Sequence, residues 1–306
     1  MARTRKTAPA PTATATAVHI RALLPSLQPS MRQVGEKVLA DATATATLTV
    51  TELALASGVS ETTVVRFCKA IGFPGYPQLR LALAAEAGRA EGADRNGREL
   101  DTDIERGDDL ARVVEKIAFA DARAVEETGA QLDIVALERV VEALVRAERV
   151  DLYGVGASAF VALDFQQKLH RIGRVAFAWP DTHVALTSAA LLRPGDVAIG
   201  ISHTGTTTDT IDAVTEARAH GATTVALTNF PRSPIARAAE HVLTTAARET
   251  TFRSGATASR LAQLTVVDCL FVGVAQRTYD RTLAALDATR AAVGSRHTSS
   301  PRRSPR

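Results

Sequence analysis

Val197-Ala198-Ile199-Gly200-Ile201, then Ser202-His203-Thr204-Gly205-Thr206-Thr207, then a helical pattern from Thr208 to His220: this order of apolar pentad, hydroxyl-rich turn and helix decides the fold. A pentad with no polar alternation reads as a strand buried on both faces, as in parallel sheets sandwiched between helices. The unit recurs on either side. Strand Val150 to Tyr153 precedes helix Ala159 to Ile172, and strand Val175 to Phe177 precedes a short helix near His183 to Leu191. Strand Thr224 to Leu227 leads to a proline-started helix at Pro234 to Ala239, then come strand Val242 to Thr244 and a long helix from Ala256 to about Tyr279. Alternation of this kind predicts an α/β fold with a doubly wound parallel sheet. Two amphipathic helices, Leu110 to Thr128 and Ile134 to Arg146, lead into it.

Upstream the pattern changes. Residues 30 to 86 read as helices, and the segment 88–109 as a linker, because it carries eight acids and three arginines between Glu91 and Asp109. The expected organisation is a disordered tail over 1–17, an all-α unit over 18–87, the linker over 88–109, the α/β unit over 110–288 and a Ser/Arg/Pro-rich disordered tail over 289–306. With 306 residues, 46% of them hydrophobic, the chain can fill two cores. Its apolar stretch Val266 to Ala275 is short and holds Asp268, which argues against a membrane span. Cys68 and Cys269 share no metal or redox spacing and are expected to be packing residues in a reducing, cytoplasmic setting. The net charge of +3 sits largely in the tails, so any nucleic-acid contact must come from local placement.

Such a placement exists in the all-α unit. Ser30-Met31-Arg32-Gln33 and Thr49-Val50-Thr51-Glu52 both have the form of a capping box. After the second, the chain runs through the turn Ser57-Gly58-Val59, and Ser60 can cap a further helix. In that helix Val64, Phe67, Cys68 and Ile71 fall at i, i+3, i+4 and i+7, leaving Thr62, Thr63, Arg66 and Lys69 on the wet face. A helix of this kind fits the major groove, with threonines near its start reaching base edges or phosphate, Arg66 bidentate to guanine and Lys69 on phosphate. An ordinary solvated helix face is the competing reading.

The α/β unit carries two candidate ligand loops at strand C-terminal ends, where open sheets bind ligands. Gly154-Val155-Gly156-Ala157-Ser158 allows close backbone approach to an anion at a helix start, and could equally be a nucleotide loop or merely a tight strand-to-helix turn. The second loop, Ser202 to Thr207, offers Ser202, Thr204 and Thr207 hydroxyls on the Gly205 turn with His203 inside it, and suits a phosphate monoester read by neutral donors, a simple helix N-cap being the competing reading. No Walker lysine is present, and a third glycine of a dinucleotide loop is missing.

These residues resemble the RpiR (MurR/RpiR) family of bacterial regulators. Val64-Val65-Arg66-Phe67-Cys68-Lys69-Ala70-Ile71-Gly72-Phe73 with Gly75-Tyr76 is similar to the family's recognition helix and its exit turn. Gly154-x-Gly156-x-Ser158 is similar to its first ligand loop, and Ser202-x-Thr204-Gly205-x-Thr207 to its phosphate loop, with Thr204 replacing the more usual serine. The resemblance covers most of residues 18 to 280. It implies a helix-turn-helix domain followed by a SIS (sugar isomerase) domain, doubly wound and flavodoxin-like. It also implies a non-enzymatic transcriptional regulator without cofactor or metal, and a homodimer or homotetramer on a palindromic double-stranded operator, with a sugar phosphate as effector. In Arg248-Glu249-Thr250-Thr251-Phe252-Arg253-Ser254-Gly255, Glu249 falls where sugar isomerases of the superfamily place a catalytic glutamate. In a regulator it would hydrogen-bond sugar hydroxyls, with Ser254 nearby. An isomerase using Glu249 as proton shuttle is the alternative, although it leaves residues 30 to 86 without a role.

Overall fold

A computed structural model of the chain describes residues 16–93, 103–249 and 258–294. The N-terminal unit is helical. Helix α1 spans Thr16–Leu23 and continues into a 3-10 turn, Leu24–Ser26, after which come α2 (Pro29–Ala40), α3 (Ala42–Thr47), α4 (Val50–Ala56), α5 (Glu61–Ala70) and α6 (Tyr76–Ala93). Apolar side chains from this unit meet in one core containing Ile20, Val34, Val38, Leu53, Phe67, Ile71, Leu79 and Leu83. Tyr76 locks the turn before α4 by donating its buried hydroxyl to the carbonyls of Leu48 (2.9 Å) and Thr45 (3.1 Å).

Several expectations are corrected here. Ser30 does not cap α2: Pro29 occupies the first helical turn, where a missing N–H costs nothing, and Gln28 is the N-cap, without a side-chain cap bond. Helix α1 begins at Thr16, inside the expected 1–17 tail, and α6 runs on to Ala93, into the expected 88–109 linker. The far end of that linker is anchored, because buried Lys116 donates to Asp108 Oδ2 (2.8 Å) and to the Asp103 carbonyl (2.8 Å).

The α/β unit opens with α7 (Leu110–Gln131) and α8 (Ile134–Arg146). There follow β1 (Val150–Gly154), α9 (Ala157–Arg171), β2 (Ala176–Trp179), α10 (Thr182–Ala189), β3 (Val197–Ile201), α11 (Thr208–Ala219), β4 (Thr223–Thr228), α12 (Pro234–Ala238) and β5 (His241–Thr244). Helices α13 (Ala258–Arg277) and α14 (Tyr279–Gly294) complete the described chain. Helix α14 runs through Gly294, into the tail expected over 289–306, whose remaining residues lie outside the described ones. The five described strands are parallel, in the order β2-β1-β3-β4-β5, the doubly wound arrangement of flavodoxin-like sheets.

Side-chain alternation sorts the two faces. Leu152, Ile199, Ile201, Val225 and Leu227 point into one core, with α8, α9 and α13; Tyr153, Ala198 and Ala226 point into the other, with α10, α11 and α12. Helix α13 is long and apolar enough to cross a membrane, yet Val266, Val267, Leu270 and Val274 on it are buried in the first core, so its apolar side is accounted for by packing. Cys68 is buried, which pushes its thiol up to about 12, whereas Cys269 is exposed rather than a packing residue.

Candidate functional site

Parallel strand order brings the C-terminal ends of β1 and β3 side by side, and the loops leaving them face each other. Between them lies a cavity of about 150 Å³ lined by Ser158, Ser202, His203, Thr204, Thr207 and Glu249, joined by Ala157, Ser259 and Gln263. Six of the side chains expected from sequence thus converge, from three separate stretches of chain. Gly154, Gly156 and Gly205 shape the loops without lining the space. Ser254 lies outside the described residues.

The loop after β3 is tied by its own side chains. Ser202 Oγ accepts from the Gly205 amide (3.1 Å) and is 3.1 Å from Thr207 Oγ1, while Thr204 Oγ1 lies 2.9 Å from Thr206 Oγ1. Gly205 has φ of +67°, and a Cβ there would sit 2.1 Å from Ser233 Oγ, so only glycine fits both the turn and the space. Gly154 answers a different need: a Cβ on it would meet the Ser158 carbonyl oxygen at 2.8 Å, so its absence lets α9 start directly against β1. Gly156 and Thr207 are the N-caps of α9 and α11, and neither helix start has a side-chain cap bond. The positive ends of two helix dipoles therefore lie beside the hydroxyls; at α9 the Ser158 and Ala159 amides donate to the Val155 (3.2 Å) and Gly156 (3.1 Å) carbonyls, so the start of α11 is the one that offers its first amides. No lysine or arginine lines the cavity among the described residues. The arrangement suits an anion held by neutral donors.

The opposite wall is made for polar ligand groups. Glu249 accepts from Ser259 Oγ (2.7 Å), and its carboxylate lies 3.7 Å from His203 Nε2. Burial pushes the His203 imidazole below its ordinary range, against the opposing pull of Glu249, and its ring meets Phe230 edge-on. His203 Nδ1 and Gln263 Nε2 are buried without a hydrogen-bond partner among the described residues. Such atoms cost stability unless something pairs with them. Sequence reasoning missed Ser259 and Gln263. They sit on the first turns of α13, and only the fold turns that otherwise apolar helix toward the cleft. The proximity of His203 to Glu249 is likewise something that spacing along the chain did not reveal. Among the described residues no cluster of three or more His, Cys, Asp or Glu is placed to hold a metal ion.

In the N-terminal unit, α4 and α5 form two short helices joined through Gly58, whose φ is +65°. Thr49 and Glu52 make the capping box of α4, and Ser60 caps α5 by accepting from the Thr63 amide (3.3 Å). Val64, Phe67 and Cys68 are buried; Ser60, Thr62, Arg66 and Lys69 are exposed, and Thr63 is half-buried with its hydroxyl 3.1 Å from Ser60 Oγ. Ser60 and Thr63 are therefore partly spent on the cap. Arg66 Nη2 donates to Gln28 Oε1 (3.3 Å), a partner at the start of α2 that sequence reading did not identify.

Comparison with known proteins covers both units. A model of the rpiR-family helix-turn-helix domain matches residues 14–89, and a SIS domain model matches residues 143–273. An HTH-type transcriptional regulator of Caldanaerobacter subterraneus is 40% identical over 270 residues, 88% of this chain and 94% of that protein. One from Bacillus subtilis is 34% identical over 277 residues, 90% of this chain and 96% of its own. Among solved structures, the Vibrio vulnificus NanR protein complexed with ManNAc-6P superposes with a TM-score of 0.58 at 28% identity, covering 92% of this chain and 100% of that one. The sugar isomerase domain of the RpiR transcription factor from Sphaerobacter thermophilus gives 0.54 at 32% identity, covering 59% of this chain and 99% of that one.

Proposed function

The chain belongs to the rpiR family of helix-turn-helix transcriptional regulators with a SIS domain, and from that premise we propose that it binds its operator through α5 and is modulated by a sugar phosphate held between the β1 and β3 loops. The observation that carries the effector is the pairing of hydroxyls from Ser158, Ser202, Thr204 and Thr207 with two helix starts that lack side-chain caps. A phosphate monoester matches that set of neutral donors. The sugar would then lie toward Glu249, His203, Ser259 and Gln263, and ManNAc-6P in the NanR structure makes N-acetylhexosamine 6-phosphates the first compounds to try.

On the DNA side, Thr62, Arg66 and Lys69 are exposed on the recognition helix, as is Glu61 at its start, and Arg66 must exchange Gln28 for a base edge. The protein acts in the cytoplasm as a homodimer or homotetramer, so that paired recognition helices meet a palindromic operator. The effector prefers one arrangement of the assembly, and linkage shifts operator affinity accordingly.

The test is operator binding by the full-length protein, at fixed salt with competitor DNA, with and without a panel of sugar phosphates. Specific binding altered by a panel member is the expected result; binding that ignores all of them would discard the effector assignment. The double variant Ser202→Ala, Thr207→Ala should keep DNA binding and lose the response. Because His203 lies near Glu249, the panel is also assayed for turnover, and aldose–ketose conversion would replace the regulator reading of the cleft with an isomerase.

A further inference from the structure

The segment from Thr228 to Ile235 touches both units. On its inner side it is fastened to the loop after β3. Thr228 Oγ1 (3.1 Å) and the Asn229 amide (3.0 Å) both donate to the His203 carbonyl, and the Ile235 amide donates to that of Gly205 (3.1 Å). Ser233 is buried hard against Gly205; its hydroxyl has no partner among the described residues, while its backbone is held by the Phe230 carbonyl (3.0 Å) and the Arg237 amide (3.2 Å). Between these fixings runs Phe230-Pro231-Arg232-Ser233-Pro234, in which two prolines with fixed φ leave few soft torsions. Arg237 braces it further by donating to the Arg232 carbonyl. A shift of the Gly205 turn therefore moves this segment as one piece.

Its outer side reaches the recognition helix. Arg232 Nη2 donates to the carbonyl of Ala70, the last residue of α5, at 3.0 Å. The next carbonyl, that of Ile71, is 3.0 Å from His19 Nε2 on α1. The last carbonyls of a helix have no donors within it, and a guanidinium there satisfies one of them while facing the negative end of the dipole. Arg232 is thus one bond from the DNA-reading helix and one residue from the side chain packed against the candidate phosphate turn.

We propose that Arg232 is the positioning residue through which occupancy of the cleft reaches α5: ligand at the Ser202–Thr207 loop shifts the proline-braced segment, and the Arg232–Ala70 bond carries that shift to the recognition helix. This rests on the sugar-phosphate reading of the cleft. The quantity at stake is a coupling, the ratio of operator affinities with and without effector, rather than either affinity alone.

The experiment uses the full-length protein, its operator fragment and a panel of hexose and N-acetylhexosamine 6-phosphates. Arg232→Ala should still bind the active sugar phosphate by calorimetry, while its affinity ratio falls to within about twofold of unity, as expected when the element biased by both sites is disconnected. Amides at residues 68 to 73 should exchange hydrogen faster in the variant, and Arg232→Lys, which keeps a cationic donor, should recover part of the ratio. A wild-type ratio in Arg232→Ala would overturn this inference and leave the effector reading standing. A wild-type protein whose operator affinity ignores every panel member would overturn the effector reading, and this inference with it.

Discussion

Gly205 is the residue at which the cleft tolerates least. An alanine there meets both a left-handed backbone and the Ser233 hydroxyl, so Gly205→Ala should cost about 1–3 kcal/mol in strain before any clash is relieved. Thermal unfolding of the variant should show the loss, and sugar-phosphate affinity should fall with it. Arg66→Ala tests the other proposed site: if Arg66 makes a bidentate base contact, its loss should remove about 1–3 kcal/mol of operator affinity and relax specificity at one position. Calorimetry with sugar phosphate should be unchanged, and loss of both activities would mean that the variant is unfolded. His203 gives a pH signature. Its imidazole is held below the ordinary value by burial, so the unfolded chain takes up a proton more readily than the folded one. The stability this contributes is present above about pH 6.5 and is lost as pH falls from there toward the lower folded value. The difference between wild type and His203→Gln in chemical denaturation should therefore shrink from pH 7 to pH 5, and a difference that grows on acidification would contradict the assignment.

Among the elements, the strands were the most legible, because Val197–Ile201 and its neighbours are short apolar runs that only a sheet covered on both sides can bury. The recognition helix was legible for the same kind of reason, since Val64, Phe67, Cys68 and Ile71 trace one stripe. Helix α3 was not: Ala42–Thr47 alternates alanine and threonine and shows no apolar stripe, and its N-cap, Asp41, accepts from the Ala44 amide at 2.8 Å without any turn signal beside it. The cleft was readable where its residues share a loop and unreadable where they share only space. Ser259 and Gln263 look like the polar fringe of a core helix until α13 is packed against α7, α8 and α9. Helix α5 offers a test at this scale. Ser60→Ala removes a cap worth about 0.5–2 kcal/mol and should lower the melting temperature of the N-terminal unit and its operator affinity together, with effector binding preserved.

In the whole molecule the two units touch through more than the chain that joins them. Arg21 on α1 lies 3.7 Å from Glu127 on α7, and Arg232 reaches Ala70 across the same junction. A two-fold assembly built on such a subunit would present paired recognition helices, so hydroxyl-radical footprinting should show two protected half-sites related by symmetry, and a single asymmetric footprint would exclude that arrangement. The cleft also differs from the exposed face of α5 in the groups it offers an anion. In the proposed reading lysine and arginine on α5 meet the nucleic acid, whereas the cleft offers a small anion hydroxyls and peptide dipoles, with no lysine or arginine among its described lining residues. Full charges act at a distance and release counterions; oriented dipoles act only at contact. Ionic strength should therefore pull the two equilibria apart: log-log plots of affinity against salt should be steep for the operator and nearly flat for the sugar phosphate, leaving a regulator that can still recognise its metabolite in brine that has stripped it from DNA.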